Sequence, residues 1–210
     1  MNQSLFFTLY EYRISPFCVS IRIALSECNA SFIARTVNLN KVRTTAFLKK
    51  SKFGRLPTLI EHHPSEEIAI SESQAILIFL SERFSKSSLG FDNFQSKIQC
   101  LSWLNYIYSG FAEQVWNILS ELYLLDKSDI REERLQYFFL ELKYQMTILN
   151  KHLAKRAYLS GDYSMADTIA TPFLDLIERI PHLNLLEFSN IISWRERIRN
   201  RPSYRGAWPS

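Results

Sequence analysis

Ser15-Pro16-Phe17-Cys18 joins an apolar run to a helical pattern, and this junction decides the fold of the N-terminal half. The run before it, residues 5–10, is typical of a buried strand, and residues 19–25 after it have helical periodicity. A serine followed by proline is typical of a helix N-cap and its first turn. The sequence therefore predicts a strand that leads, through a short loop, into a helix beginning near Ser15.

The start of that helix is a candidate site for a thiolate. Its unpaired N–H groups and the positive end of the helix dipole surround Ser15 and Cys18. Helix N-termini lower the pKa of a thiol, and the thiolate is the nucleophilic form. The alternative is an ordinary capped helix with no chemistry, which is the commoner meaning of such a motif taken alone.

The composition predicts a globular protein with one large domain or two small ones. The chain has 210 residues, of which 47% are hydrophobic and 22% are charged. No apolar run reaches the roughly 20 residues that span a membrane, and residues 1–4 lack the basic start of a signal peptide. Three cysteines without metal-type spacing favour a reducing, cytoplasmic compartment over a disulfide framework.

Positive charge is concentrated in two segments of the chain. Between Arg35 and Arg55 there are seven Lys and Arg residues and no acid, and Arg195–Arg205 contains five arginines against Glu196 alone. Each segment is either a solvated basic face or a site for an anion, such as a charged small molecule or, less favoured, a nucleic acid. RNA-binding signatures with interleaved aromatic residues and zinc-type spacings are absent from the sequence.

The first 84 residues alternate between strand and helix patterns. After the first strand and helix, the sequence predicts a strand at 31–37, a short helix at 42–51, strands at 57–61 and 67–70 and a helix at 74–80. A polar turn at 62–66 joins the last two strands as a hairpin. This order describes a thioredoxin-like unit with a mixed four-stranded sheet.

The second half of the chain is predicted to be all-helical. A polar connector covers residues 85–95, and a long helical pattern then continues to Gly161, divided in two by a loop at 125–129. We therefore expect two domains, at 1–84 and 96–210, with 85–95 as the linker.

Three motifs in order resemble the cytosolic glutathione transferases along nearly the whole chain, and the serine-type, tau-like or bacterial members in particular. The first is Ser15-Pro16-Phe17 with Arg22-Ile23-Ala24-Leu25 downstream. The second is Phe53–Leu59, followed by Glu72–Ile76. The third is Leu159–Asp167, with Trp194 and Arg201-Pro202 near the end. The resemblance implies a thioredoxin-like domain followed by a helical domain, with glutathione as co-substrate and no metal.

The resemblance assigns the parts of glutathione to particular residues. Pro57 is expected to be cis, which would expose the backbone of Leu56 to the cysteinyl amide. Ser73, at a helix start, would take the γ-glutamyl carboxylate, and Glu72 the α-amino group. Lys41 and Arg55 are placed near the glycyl carboxylate, and Phe17 completes the predicted binding set.

Ser15 is the predicted catalytic residue. Its hydroxyl would donate a hydrogen bond to the glutathione thiolate and favour the ionised form of the thiol. Tyr10, on the first strand, is the competitor, because tyrosine-type classes use that strand. Cys18 occupies the position of the resolving cysteine in a glutaredoxin-like Cys-Pro-Phe-Cys whose attacking cysteine is replaced by Ser15, and we expect Cys18, like Cys28 and Cys100, to be a core residue.

Two details depart from the family pattern. Ser164–Asp167 forms a capping box with Asp in place of Glu, and Thr168 stands where members usually place an aliphatic residue. Ser51-Lys52 replaces the Asn-Pro that often precedes the Phe-Gly segment. The first departure concerns folding, and the second weakens the assignment to a class.

The expected electrophile pocket lies on the first long helix and the C-terminus. Its candidates are aromatic residues, each of which has a core position as its alternative: Tyr106, Tyr108, Phe111, Trp116 and Trp208. The resemblance also implies a two-fold homodimer, formed by the helix from about residue 93 and the segment 57–84.

Three functions compete on this fold. The leading hypothesis is a detoxification-type transferase that conjugates glutathione to a small hydrophobic electrophile, with no membrane and no nucleic acid as partner. The second is a glutathione-dependent thiol–disulfide or peroxide reductase, which the lack of a cysteine at position 15 opposes. The third is a non-catalytic regulator that binds a macromolecule such as RNA polymerase, which the basic segment at 35–55 keeps open.

Overall fold

The computed structural model describes residues 6–126 and 128–208, and these form two compact units. The first unit contains the described residues up to Asp92 together with the C-terminal segment from Arg201, and the second contains Asn93–Asn200. The predicted start of the first strand, Leu5, lies outside the described residues.

The first unit is built around a mixed four-stranded sheet. Its strands are β1 (Phe6–Glu11), β2 (Ser31–Thr36), β3 (Thr58–His62) and β4 (Glu67–Ser71), in the spatial order β2-β1-β3-β4. β1 pairs parallel with β2 and antiparallel with β3, and β3 pairs antiparallel with β4 as the predicted hairpin. The helices of this unit are α1 (Pro16–Glu27), α2 (Thr45–Leu48) and α3 (Ser73–Arg83).

The core of the first unit forms where apolar residues of the sheet meet those of α1 and α3. Phe7 and Leu9 of β1, Ile23 of α1, and Ile76 and Leu80 of α3 are all fully buried. β1 and α1 thus both contribute buried apolar side chains, as the apolar run before Ser15 and the helical periodicity after it predicted.

The short helix expected at 42–51 is shorter than predicted. A 3-10 helix covers Leu39–Lys41, and α2 is a single turn whose first hydrogen bonds run from the N–H groups of Phe47 and Leu48 to the carbonyl of Thr44. The β-branched residues Val42, Thr44 and Thr45 disfavour a longer helix. Ser51 then begins a separate, hydrogen-bonded loop.

The C-terminal segment from Arg201 packs within the first unit. The guanidinium of Arg201 donates two hydrogen bonds of 2.7 Å to the carboxylate of Glu27, at the end of α1. A 3-10 helix at Pro202–Tyr204 follows. Trp208 packs against the cluster that Val19 and Ile23 of α1 form with Ala207.

The regular elements described in the second unit are helices, with two isolated β-bridges in the loop at 158–162. Its helices are α4 (Phe94–Tyr106), α5 (Ala112–Tyr123), α6 (Glu132–Leu153), α7 (Met165–Leu176) and α8 (Ser189–Arg199), with 3-10 helices at Ile177–Arg179 and Leu185–Glu187. A π-helical turn, Ile107–Phe111, joins α4 to α5 without a break. The loop predicted near 125–129 separates α5 from α6.

The predicted capping box opens α7 and is fully buried. Asp167 accepts hydrogen bonds from the N–H and hydroxyl of Ser164, at 3.0 and 2.9 Å, from the N–H of Leu159 at 3.1 Å and from the indole of Trp194 at 2.8 Å. Thr168 hydrogen-bonds with the hydroxyl of Tyr163 at 3.1 Å. A polar contact therefore replaces the apolar one expected at that position.

Candidate glutathione site

The strand pairing brings the predicted glutathione residues to one end of the sheet. Tyr10 near the end of β1 lies opposite Thr58 at the start of β3, and Thr58 lies opposite Ser71 at the end of β4. The segments that continue from these three positions are the loop to Ser15, the Leu56-Pro57 bond and the Glu72-Ser73 pair. Their convergence follows from the register and needs no assumption about a ligand.

Ser15 is the N-cap residue of α1, as predicted, but its side chain caps nothing. Its backbone N–H donates to the carbonyl of Tyr12 at 2.9 Å, which fixes the turn, and its carbonyl accepts the N–H groups of Cys18 and Val19 at 3.0 and 2.9 Å. The serine is half-buried. Its hydroxyl is therefore not consumed by the first-turn N–H groups, which is unusual for a serine at an N-cap.

Cys18 lies one turn further into α1 and is fully buried, at 0% exposure. Burial raises the pKa of this thiol to about 11, against smaller lowering effects from the N–H of Tyr12 and the side chain of Ser15. Desolvation thus outweighs the helix N-terminus at this position. The prediction that Cys18, Cys28 and Cys100 are buried core residues is confirmed, and all three are free thiols.

The Leu56-Pro57 peptide bond is cis, as predicted. Pro57 is buried at the entry to β3, and Leu56 is half-buried beside it.

Ser51 organises the loop that leads to this bond, a role that the sequence did not predict. Its hydroxyl donates to the carbonyl of Arg55 at 3.0 Å and accepts from the hydroxyl of Thr58 at 2.9 Å. Thr58 also donates to the Arg55 carbonyl at 3.0 Å. Ser51 and Thr58 are both fully buried, so the loop is held by a closed polar network. No local sequence signal marked this role, because it depends on Thr58, seven residues later in the chain.

Gly54 is required inside this loop. Its φ is +59°, and a Cβ here would lie 2.7 Å from the carbonyl oxygen of Val42. Both the left-handed conformation and the close approach exclude a larger residue.

Glu72 and Ser73 open α3 with an unusual backbone. Glu72 has φ +73° and ψ 125°, a conformation that costs a non-glycine residue on the order of 1–3 kcal/mol and tends to occur at functional sites. Ser73 is buried at the first helical position. The Arg55 guanidinium lies 3.8 Å from the Glu72 carboxylate, with side-chain exposures of 72% and 33%. The structure thus joins Arg55 to the Glu72–Ser73 pair.

The remaining predicted residues of this site have more open positions. Lys41 is exposed at the end of the 3-10 helix, and Phe17 is half-buried in the first turn of α1. Tyr10, the competitor to Ser15, packs its ring edge-on against Phe47 at 5.8 Å, with the Lys50 ammonium 5.3 Å from its centroid.

The predicted pocket residues fall into different environments. Tyr106 is half-buried, packs on Trp103 at 5.4 Å and places its hydroxyl 3.5 Å from the Gln145 carbonyl. Burial raises the pKa of its phenol to about 12. Tyr108 is half-buried in the π-helical turn, and Trp116 is 44% exposed on α5.

Phe111, which was predicted to line the pocket, lies in the core instead. It is fully buried in the second unit at the end of the π-helical turn. An aromatic ring that water cannot reach has a core position, so the structure favours the core alternative for this residue. Trp208, the remaining candidate, packs on α1 within the first unit.

The described residues contain no group of three or more His, Cys, Asp or Glu side chains that would hold a metal ion. No described helix is long and apolar enough to cross a membrane.

Residues 9–88 match the family model for the N-terminal domain of glutathione S-transferase. This matched segment contains the helix start at Ser15, the cis bond at Pro57 and the Glu72–Ser73 pair. By this match, residues 9–88 form a domain of the glutathione S-transferase N-terminal type.

Two curated relatives extend the similarity beyond that domain. Glutathione S-transferase 1 of Schizosaccharomyces pombe is 27% identical over 96% of this chain and 95% of its own length. The disulfide-bond oxidoreductase YfcG of Escherichia coli is 26% identical over 75% of this chain and 73% of its own length. The chain spans 66% and 60% of the lengths of two further curated relatives.

A solved structure described as Ure2p in complex with glutathione shares the fold. It aligns with a TM-score of 0.88 at 24% identity, covering 96% of this chain and 97% of that one. The fold prediction, a thioredoxin-like unit with a mostly helical C-terminal region, is confirmed.

Proposed function

We propose that the chain binds reduced glutathione at the converging end of its sheet and transfers the glutathione sulfur to small hydrophobic electrophiles. The observation that carries this proposal is the contrast at the start of α1. The hydroxyl of Ser15 is half-buried and caps no N–H group, whereas the thiol of Cys18 is fully buried.

In the proposed mechanism Ser15 stabilises a thiolate that glutathione itself supplies. The serine hydroxyl and the positive end of α1 favour loss of the thiol proton to solvent. The thiolate then forms a carbon–sulfur bond with the electrophile, and a leaving group departs with the electron pair of the bond that breaks. No residue of the chain is oxidised or reduced in this sequence.

The rest of the site would hold the tripeptide by its charged ends. Ser73 at the start of α3 suits the γ-glutamyl carboxylate, because helix N-termini present N–H groups to anions. Glu72 suits the α-amino group, while Arg55 and Lys41 provide positive charge for the glycyl carboxylate. The backbone of Leu56 would pair with the cysteinyl amide, with Phe17 lining the first turn of α1.

Two measurements test this function in sequence. Retention on immobilised glutathione tests binding, and conjugation of 1-chloro-2,4-dinitrobenzene, followed by absorbance, tests transfer. Calorimetry that detects no binding at millimolar glutathione would contradict the proposal at its first step. Binding without conjugation would retain the site and reject the transfer.

A glutathione-dependent disulfide reductase is the second candidate, favoured by the similarity to a relative named a disulfide-bond oxidoreductase. The burial of Cys18 opposes a mechanism that uses this thiol. A glutathione adduct on Cys18 after treatment with oxidised glutathione, found by intact-mass spectrometry, would support the reductase over the transferase.

We also propose that the chain forms a homodimer. Exposed apolar side chains support it in the two segments that the family resemblance assigned to the interface: Ile68 on β4 is 39% exposed, and Phe94 on α4 is 77% exposed. A contiguous exposed apolar surface is typical of an interaction site, and in the proposed dimer each of these side chains would lie in one. Light scattering should give twice the mass of one chain at micromolar concentration, and a single-chain mass would reject the dimer.

A further inference from the structure

The arginines near the C-terminus differ in whether a carboxylate neutralises them. Arg195 pairs with Glu178, and Arg199 contacts Asp175 at 2.7 Å and Glu178 at 3.2 Å. These pairs account for part of the second basic segment as ordinary ion pairs within the helical unit. Arg197, between them on α8, has a different environment.

Arg197 points to the loop that follows α6. Its Nε donates to the carbonyl of Ala157 at 3.1 Å. That bond fixes the guanidinium plane while leaving its terminal nitrogens for another acceptor. A guanidinium held in this way is prepared for an anion, because little side-chain freedom remains to be lost on binding.

A cleft of about 380 Å³ lies at this contact, and we call it the basic cleft. It is lined by residues 153–157 after α6 and by Asn190, Ser193 and Arg197 of α8. Three of its lining residues are cationic, namely Lys155, Arg156 and Arg197, and none is acidic. Within the described ranges, no carboxylate forms an ion pair with any of these three cations.

Hydrogen bonds join the two helices that form the cleft. Asn150 accepts the N–H groups of Asn190 and Ile191 at 2.9 and 3.3 Å, and its own carbonyl accepts the Asn190 amide at 3.0 Å. These bonds tie the start of α8 to the end of α6. They also occupy the first N–H groups of α8, so the positive character of the cleft comes from side chains and not from the helix start.

We propose that the basic cleft binds the phosphate group of a small phosphorylated molecule, as a site separate from the glutathione residues of the first unit. Three cations around one opening match the charge of a phosphomonoester or a pyrophosphate, and bidentate donation from a guanidinium suits its oxygens. The volume lies at the lower end of the range for small-molecule pockets.

The test is a titration of inorganic pyrophosphate into the full chain, saturated with glutathione and held at constant ionic strength. Calorimetry should give one site, and amide NMR shifts should map to Ala157 and Ser193. Arg197→Gln should weaken binding on the order of tenfold or more, the loss expected for a charge-assisted hydrogen bond. Lys151→Gln, which removes one exposed charge from α6 outside the cleft, should leave the affinity within about twofold.

A second variant keeps the proposal falsifiable if Arg197→Gln does not fold. Ser193→Glu places a carboxylate in the cleft at an exposed position and should abolish binding. Equal loss in Arg197→Gln and Lys151→Gln, or NMR shifts confined to the first unit, would overturn the proposal. Affinity that rises with the length of a single-stranded oligonucleotide would reject the small molecule in favour of a nucleic acid. None of these outcomes depends on conjugation activity.

Discussion

The start of α7 and the start of α1 are both built on a serine, and the two serines differ in what surrounds them. At α7, Ser164 and Asp167 form a closed box in which the buried carboxylate accepts four hydrogen bonds. At α1, Ser15 caps no N–H group and is only half-buried. The first arrangement leaves nothing for a ligand, and the second leaves a hydroxyl and a helix N-terminus.

The difference shows how one local signal serves stability in one place and chemistry in another. A polar group in the interior is stabilising only when its hydrogen bonds are complete, so the box at α7 belongs to the core. An incomplete cap near the surface can be completed by a ligand.

Asp167→Ala should cause the largest loss of stability, because it leaves buried donors from Leu159, Ser164 and Trp194 without an acceptor. We expect the free energy of unfolding to fall by about 3 kcal/mol or more, as measured by urea denaturation. Asp162→Ala, an exposed aspartate five residues earlier, is the matched control and should change stability little. A loss as small as the control's would show that the box is not a structural element of the core.

Ser15→Ala should leave the free energy of unfolding nearly unchanged and the glutathione affinity within a few-fold. Turnover should fall about 10- to 100-fold, because a hydrogen bond to a charged group contributes roughly 1.5–3 kcal/mol. Steady-state kinetics with 1-chloro-2,4-dinitrobenzene measures this. Ser26→Ala, at an exposed position of the same helix, serves as the control. Full activity in Ser15→Ala together with an inactive Tyr10→Phe would move the catalytic role to the tyrosine.

Ser51→Ala should affect binding more than turnover. The variant removes the hydroxyl that joins Arg55 to Thr58, so the segment before Pro57 loses its fixed position. We expect the KM for glutathione to rise several-fold with kcat nearly unchanged, and Ser51→Thr, which retains a hydroxyl, to restore part of the loss. A fall in stability with an unchanged KM would mean that Ser51 supports the fold alone.

Cys18→Ser should have the smallest effect on transferase turnover, within about twofold, because glutathione supplies the reacting thiol. The raised pKa of Cys18 also predicts slow alkylation by iodoacetamide. With a pKa of about 11, on the order of one thiol in a thousand is ionised at pH 8, and reactivity should rise tenfold per pH unit up to that pKa. Rapid labelling at pH 7 would indicate that Cys18 is accessible and ionised, contrary to its burial.

The sequence by itself determined the order of elements and the local signals at their ends. The apolar run identified β1, periodicity identified α1, the Ser-Pro pair located the start of α1, and the Ser164–Asp167 spacing predicted the box at α7. These features depend on neighbouring residues, so they can be recognised from short segments. The cis bond at Pro57 was expected only through the family resemblance, since a proline in sequence does not reveal its isomer.

Only the tertiary structure decided which polar residues are buried and which charges are paired. Ser51 has the sequence of an ordinary loop residue, and its role depends on Thr58 being brought back to it by the start of β3. Arg195, Arg197 and Arg199 alternate along one helix, yet Arg195 and Arg199 pair with carboxylates, whereas Arg197 contacts the loop after α6 and pairs with no carboxylate among the described residues. Cys18 and Ser15 share one helix start, yet burial raises the pKa of the Cys18 thiol while Ser15 stays only half-buried. Burial and pairing depend on residues distant in sequence, so no local pattern records them.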